Sequence, residues 1–351
     1  MNTLSEDYLL QMRFTTSELL LLGKIREYKG KEELYLRQTP EVLESLRNTA
    51  MIHSVESSNR IEGIEASQKR IEALVKRTSE PKTRSEAEIS GYRNVLEIIH
   101  TRHEHIRVSP NIILQFHRDV MELSTGTGGA WKNSDNEIVE TQMDGQQITR
   151  FVPLPAWQTP DAMDELCRLF HRLHELGKQD DLVLIAAFIL DFLSIHPFLD
   201  GNGRMARLLT LLLLYQAGFL VGRYISLEKV IEDTKEQYYD TLQRSSVGWH
   251  EASHDFHPWF EYFLTVMVSA YHRLEDRVGE IRTHRMGWKQ RKVEQVVASR
   301  IGDFTMADLI ERCPGISRPT ITKCLQQLSQ DGKIECIEHG RHARWRLINP
   351  L

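Results

Sequence analysis

Residues 196–207 read His-Pro-Phe-Leu-Asp-Gly-Asn-Gly-Arg-Met-Ala-Arg, which brings an imidazole, a carboxylate, two glycines and two arginines into one short stretch. An imidazole near neutral pH can take a proton from a nucleophile, and His196 is the candidate base. Asp200 offers the hard oxygen that Mg²⁺ accepts alongside phosphate oxygens. Gly201, Asn202 and Gly203 lead into a helix, and glycines there let backbone N–H groups approach an anion at the helix N-terminus. Arg204 and Arg207 stand three apart on that helix, so as surface neighbours both can reach a polyphosphate. A base, a metal carboxylate, a phosphate cradle and two arginines are the parts of nucleotide phosphoryl chemistry. Each residue alone has an ordinary structural use, and it is their concentration between two apolar helices that singles them out.

Two further patterns carry weaker signals. Ser58 and Glu62 lie four apart and share a helix face, and Gly63 follows as a C-terminal cap, which alone reads as an ordinary helix end. His250-Glu251-Ala252-Ser253-His254 has the spacing of a zinc-protease motif. That chemistry needs both histidines on one helix face and a third ligand, whereas Gly248 and Pro258 bracket what reads as a loop, so zinc is not expected.

The elements that must hold these residues are mainly helical. Apolar spacing predicts helices over 41–62, 84–105, 110–123, 160–176, 181–195, 203–217, 230–245 and 257–279. The stretch 124–155 is rich in Gly, Asn, Asp and Thr, and reads as a β-hairpin turning at Asp144-Gly145. Beyond a helix at 288–299, the chain reads helix 306–312, turn at Pro314-Gly315, helix 317–330, then strand, turn at Gly340 and strand. That order is a winged helix-turn-helix, with Ser317-Arg318-Pro319-Thr320 where a recognition helix meets base edges. Residues 285–351 carry 12 Lys and Arg against 7 Asp and Glu, while the remainder carries 32 against 42. A basic module on an acidic body fits docking through 285–351 to DNA or to protein.

With 351 residues, 41% hydrophobic and 26% charged, the chain has the composition of a globular protein with two or three domains. The net charge of -5 gives no whole-chain case for nucleic acid. The apolar stretches Leu182–Ile195 and Leu208–Val221 fall short of the ~20 residues a membrane span needs, so no membrane association is expected. Cys167, Cys313, Cys324 and Cys336 form no paired motif, and the N-terminus has no apolar core of signal-peptide length. Both point to reduced thiols and a cytoplasmic location.

The stretch 196–207 resembles the signature of the Fic family, with every specified position matched, and the resemblance extends over about 50–280. It implies a mainly α fold: an N-terminal helical region (1–83) with an inhibitory helix, a helical Fic catalytic domain (84–284) with a β-hairpin flap, and the winged helix (285–351). The implied activity is a protein adenylyltransferase with ATP as substrate and Mg²⁺ as cofactor. His196 would deprotonate a Ser, Thr or Tyr hydroxyl of a target protein for attack on the α-phosphorus. Asp200 would hold the metal, Gly201, Asn202 and Gly203 would form the anion hole, and Arg204 and Arg207 would bind the β/γ end. Phe198 would anchor the loop from the core, and Tyr238 and Tyr239 resemble the tyrosines that line the adenine pocket. Ser58, Glu62 and Gly63 match the family's inhibitory motif, in which Glu62 would pair with Arg207 and withdraw it from the γ-phosphate. In some relatives the same glutamate positions water to strip AMP from the target, so the resemblance leaves both restraint and a reverse reaction open for Glu62. Lys132, where many relatives carry arginine, and the run 152–155 depart from the family pattern in ways expected to bear on target choice. A homodimer is allowed by the resemblance alone. The rival reading is a winged-helix DNA-binding regulator whose Fic core senses nucleotide.

Overall fold

The computed structural model describes residues 2–36, 40–122, 128–141, 147–298, 302–313, 316–338, 340 and 343–348. The chain divides into two compact units, Met1–Leu274 and Glu275–Leu351. The first holds α1 (Glu6–Gln11), α2 (Thr16–Leu36), α3 (Pro40–Ile61), α4 (Gln68–Val75), α5 (Arg84–Arg102) and α6 (Pro110–Met121). A hairpin of β1 (Ile138–Thr141) and β2 (Gln147–Phe151) follows, then α7 (Thr159–Leu176), α8 (Asp181–Ile195), α9 (Asn202–Gln216), α10 (Leu227–Asp233) and α11 (Lys235–Ser246). The division falls within α12 (His257–Ala298). The hairpin is antiparallel, with an irregularity between Ile138 and Val139, and its expected turn at Asp144-Gly145 lies outside the described residues.

The centre of the first unit is α8, packed between α7 and α9. An apolar sequence around the whole helix makes burial on all sides the stable arrangement, and nearly all of α8 is buried. Its one buried charge, Asp191, is compensated: its carboxylate accepts the Thr3 and Leu4 N–H groups at 3.0 Å each and the Trp249 indole N–H at 2.7 Å. The N-terminus is thereby tied to the core. On the other side of the site, α5 and α6 pack closely at Gly91, where a Cβ would strike the Val120 carbonyl.

Where the structure departs from the periodicity, local bonding explains it. The helix expected over 230–245 breaks at Thr234, whose hydroxyl reaches the Val230 carbonyl and the Tyr262 hydroxyl, both at 2.9 Å. The two helices expected over 257–279 and 288–299 are one, α12. Helix α2 was not anticipated from its apolar pattern; it starts at a reciprocal cap in which Glu18 accepts the Thr15 N–H at 2.7 Å and Thr15 accepts the Glu18 N–H at 3.2 Å.

The second unit contains β3 (Phe304–Thr305), α13 (Met306–Arg312), α14 (Arg318–Gln330), β4 (Ile334–Glu338) and β5 (Arg344–Leu347), with strand order β3-β5-β4. Its core gathers Val293, Val297, Phe304, Leu309, Ile321 and Ile334. The turn expected at Pro314-Gly315 lies outside the described residues, and Gly340 has φ 107°. Ser317, Arg318 and Lys323 are exposed. All four cysteines are free. Among the described residues, no helix is long and apolar enough to cross a membrane.

Candidate active site

Helix α8 stops because His196 turns left-handed, at φ 50° and ψ 62°. The imidazole is half-buried, and its Nδ1 lies 3.3 Å from the Leu193 carbonyl. A carbonyl can only accept, so Nδ1 carries the proton and Nε2 keeps the lone pair. Burial, chiefly, pushes the pKa of His196 down to about 4, so the ring is neutral at physiological pH. It is therefore poised as a proton acceptor.

The loop after His196 is held from below. Phe198 is fully buried, stacked on His117 at 3.7 Å between centroids and packed near Trp131 and Phe192. His117 Nδ1 accepts the Gly129 N–H at 3.1 Å, which leaves Nε2–H to donate to the Asp200 carbonyl, also at 3.1 Å. The Lys132 ammonium donates to the Ile195 carbonyl at 3.1 Å and to Asn136 at 2.9 Å, while its backbone N–H donates to the Pro197 carbonyl at 2.8 Å. A cation there also suits the negative end of the α8 dipole. Lys132 is buried, which lowers its pKa to about 8. Lys132 thus fastens the loop that carries His196.

Helix α9 opens at Gly201, whose φ of 83° favours glycine. Asn202, expected in the anion hole, turns its side chain into the loop: its amide accepts the Phe198 N–H at 2.9 Å and donates to the Phe198 carbonyl at 2.7 Å. Its contribution to an anion hole is confined to the backbone. Arg204 also differs from expectation. It is buried, donates to Glu88 at 2.7 Å and lies 3.7 Å from Asp200. Residues three apart on a helix point about 60° away from each other, and here only the later arginine lines the cavity described below. The expectation of two arginines as surface neighbours is corrected by this burial.

Arg207 is the hub of the other face. Its Nε donates to the Ser58 hydroxyl, and its Nη2 donates to the Ser58 carbonyl and to Glu62 Oε1, each at 2.8 Å. The Glu62 carboxylate lies over the first turn of α9, where a Cβ on Gly203 would run into it. Glu62 reaches this position from the turn just after α3, where Gly63 at φ 76° closes the helix and its N–H donates to the Arg60 carbonyl at 3.0 Å. The end of α3 is in turn secured by Lys235, which donates to the Ile61 carbonyl at 2.7 Å.

These groups surround a cavity of about 920 Å³ lined by Glu62, His196, Gly203, Arg207, Tyr238 and Tyr239, with β1 and β2 at its edge. Tyr238 is buried and Tyr239 is exposed, and their rings meet edge to face at 5.2 Å. Asp200 sits on the surface, with its side chain 62% exposed and Oδ1 accepting the Gly201 N–H at 2.6 Å. Asp200 does not itself line the cavity, and an exposed carboxylate of this kind is a hard oxygen donor that suits Mg²⁺. Among the described residues no group of three or more His, Cys, Asp or Glu could hold a metal by itself. In the histidine-rich segment, His250 donates toward the Val152 carbonyl, His254 meets the Thr3 hydroxyl and His257 meets Glu18, so the three imidazoles serve separate contacts.

Residues 107–214, which span α6, the hairpin, α7, α8 and most of α9, match the Fic/DOC family, and the chain carries a Fic/DOC family domain. A crystal structure of a Fic family protein from Desulfovibrio desulfuricans G20 superposes with a TM-score of 0.63 at 22% identity, covering 96% of this chain and 97% of that one. A Fic domain containing signaling protein from Bacteroides thetaiotaomicron VPI-5482 gives 0.59 at 18% identity, over 73% and 98% of the two chains. Fic-1 (residues 134–508) from C. elegans gives 0.59 at 19% identity, over 76% and 74%. These likenesses establish a Fic fold. A Fido domain-containing protein of Dictyostelium discoideum is 34% identical over 67 residues, which is 18% of this chain and 47% of that protein. The matched stretch thus spans about half the length of that relative. Residues 291–348 match a family described as transcriptional regulator DIP2311-like, C-terminal domain.

Proposed function

We propose that the protein transfers AMP from ATP to a Ser, Thr or Tyr hydroxyl of a target protein, and that Glu62 restrains the reaction. The observation that carries this reading is the shared cavity: a neutral imidazole, a helix N-terminus, an arginine and two tyrosines face one space large enough for a nucleotide. His196 Nε2 takes the proton of the acceptor hydroxyl. The oxygen attacks the α-phosphorus, the bond to the bridging oxygen breaks, and pyrophosphate leaves. The first turn of α9 offers N–H groups to the charge that develops on the phosphoryl oxygens. Arg207 receives the outer phosphates once it is released from Glu62, and the tyrosines receive the base. Mg²⁺ bound through Asp200 would neutralise phosphate charge.

The restraint follows from geometry. The Glu62 carboxylate is an anion lying where an anion would bind, and it occupies Arg207 Nη2. A triphosphate must displace it before using that arginine. Incubation with α-labelled ATP, Mg²⁺ and cell lysate tests the proposal: label should pass to protein from the α-position, strongly with Glu62→Gly and not at all with His196→Ala. Transfer from the γ-position would make the enzyme a kinase. Release of AMP from a modified target by the wild type, but not by Glu62→Gly, would assign the reverse reaction to Glu62.

A second reading, a DNA-binding regulator, is favoured by the match of residues 291–348 and by the exposed Ser317, Arg318 and Lys323 on and beside α14. A DNA shift whose affinity falls steeply with salt, and weakens with Arg318→Ala, would support it.

A further inference from the structure

A second cavity, of about 470 Å³, is framed by α3, the end of α4, α5 and the turn at 221–223, and none of the residues placed in the catalytic site lines it. Its wall carries Arg47, Lys76, Arg93 and Arg223 but one carboxylate, Glu97. That carboxylate is already engaged by Arg77 at 2.6 Å. Of the other acids nearby, Glu72 lies 3.8 Å from Lys76, and Glu80 acts on Arg93 through its field alone. The hydrogen-bond partners of Arg47 and Arg223 are neutral. Arg47 donates to the Tyr224 hydroxyl at 3.1 Å, and Arg223 donates to the His100 carbonyl at 2.6 Å. Glu32 bears on Arg223 through its charge but does not line the cavity.

The decisive feature is Arg93. Its Nε and Nη1 are shielded from solvent and have no hydrogen-bond partner among the described residues, and the same holds for Arg223 Nε. Buried donors in a folded protein are nearly always satisfied, so these N–H groups mark two guanidinium groups in the cavity wall whose hydrogen-bonding capacity the chain leaves unmet. Planar guanidinium forks match the oxygens of a phosphate group. Met51, Ile52 and Val75 add an apolar wall beside this cationic one. We propose that this cavity is a binding site for a small phosphate monoester, with its phosphate on Arg93 and Arg223 and its organic part against Met51, Ile52 and Val75.

The test is thermal unfolding of the full chain with phenyl phosphate, inorganic phosphate and, at matched ionic strength, sodium chloride. Phenyl phosphate should raise the Tm of the wild type more than inorganic phosphate does, and sodium chloride should leave it unchanged. Arg207→Ala, which disables the catalytic cavity, should keep that shift. Arg93→Met should unfold no earlier than the wild type without ligand, since it breaks no bond, and should bind phenyl phosphate at least tenfold more weakly. Arg47→Glu, at a position less enclosed by the core, should lose the shift as well. Absence of a shift in the wild type, an undiminished shift in both Arg93→Met and Arg47→Glu, or a shift lost only in Arg207→Ala would overturn the assignment.

Discussion

Two arginines one turn apart do different work, and the difference decides how each should respond to mutation. Arg204 and Glu88 form an ion pair in which both side chains are almost fully buried. Removing one partner of a buried pair costs up to about 3–5 kcal/mol, and less for loss of Arg204, since Glu88 keeps Arg84 at 3.1 Å. Arg204→Ala and Glu88→Gln should therefore lower the midpoint of urea unfolding, and a variant that keeps wild-type stability while losing ATP affinity would contradict this role. Arg207 is also buried, but its partners are a serine and a partly exposed carboxylate. Glu62→Gly should raise AMP transfer by about tenfold or more, equivalent to ~1.4 kcal/mol of competition removed. His196 gives a pH signature. Its pKa is pushed down to about 4, so it stays deprotonated, and competent as a base, above that value. The acid limb of kcat/KM should lie below pH 5 rather than near 6.5. The residues from 196 to 207 could be singled out from the sequence because their chemistry is compressed into one loop. Glu88 and His117 could not, because each meets the loop across more than eighty residues of chain and looks ordinary in its own helix.

At the level of elements, the site is a junction between the end of α8 and the start of α9, fixed by backbone geometry at both edges. His196 and Gly201 take left-handed conformations, and between them Phe198 is locked by Asn202 and His117. Lys132 closes the last turn of α8. Lys132→Met should slow AMP transfer by about 10²-fold, the scale expected when a catalytic group moves by an ångström, while Lys132→Arg keeps most of the rate. Equal losses with both would mean the side chain does more than hold the loop. Apolar periodicity was enough to read α8 and α9, since burial is what shapes them. It failed where polar bonding sets the element: Thr234 splits α10 from α11, and the Thr15–Glu18 cap starts α2. The Thr-x-x-Glu spacing of that cap was available in the sequence as a start signal.

For the whole molecule, buried histidines couple folding to pH. His196 and His117 are held near 4 and His100 near 3, in each case mainly by burial. The unfolded chain would protonate all three near 6.5, so it binds more protons than the native state below that pH. Stability should thus fall as pH drops from about 6.5 and level off, as far as these groups go, below their native values. Glu32, raised to about 7 by burial, acts in the opposite sense between its ordinary value and 7, while burial also lowers the pKa of His103 and His254, which leaves five histidines against one carboxylate. Urea midpoints measured from pH 7.5 to 5 should fall, and a flat profile would contradict this balance. The same molecule joins a Fic domain to a second unit with its own core, and the site's behaviour rests on α3, which delivers Ser58 and Glu62 to Arg207 from a segment that precedes the Fic match. Label transfer from α-labelled ATP to protein, compared across the wild type, Glu62→Gly and His196→Ala, tests that arrangement as a unit. Strong labelling in Glu62→Gly, weak labelling in the wild type and none in His196→Ala is the expected result. Equal labelling of wild type and Glu62→Gly, or labelling that survives in His196→Ala, would contradict it.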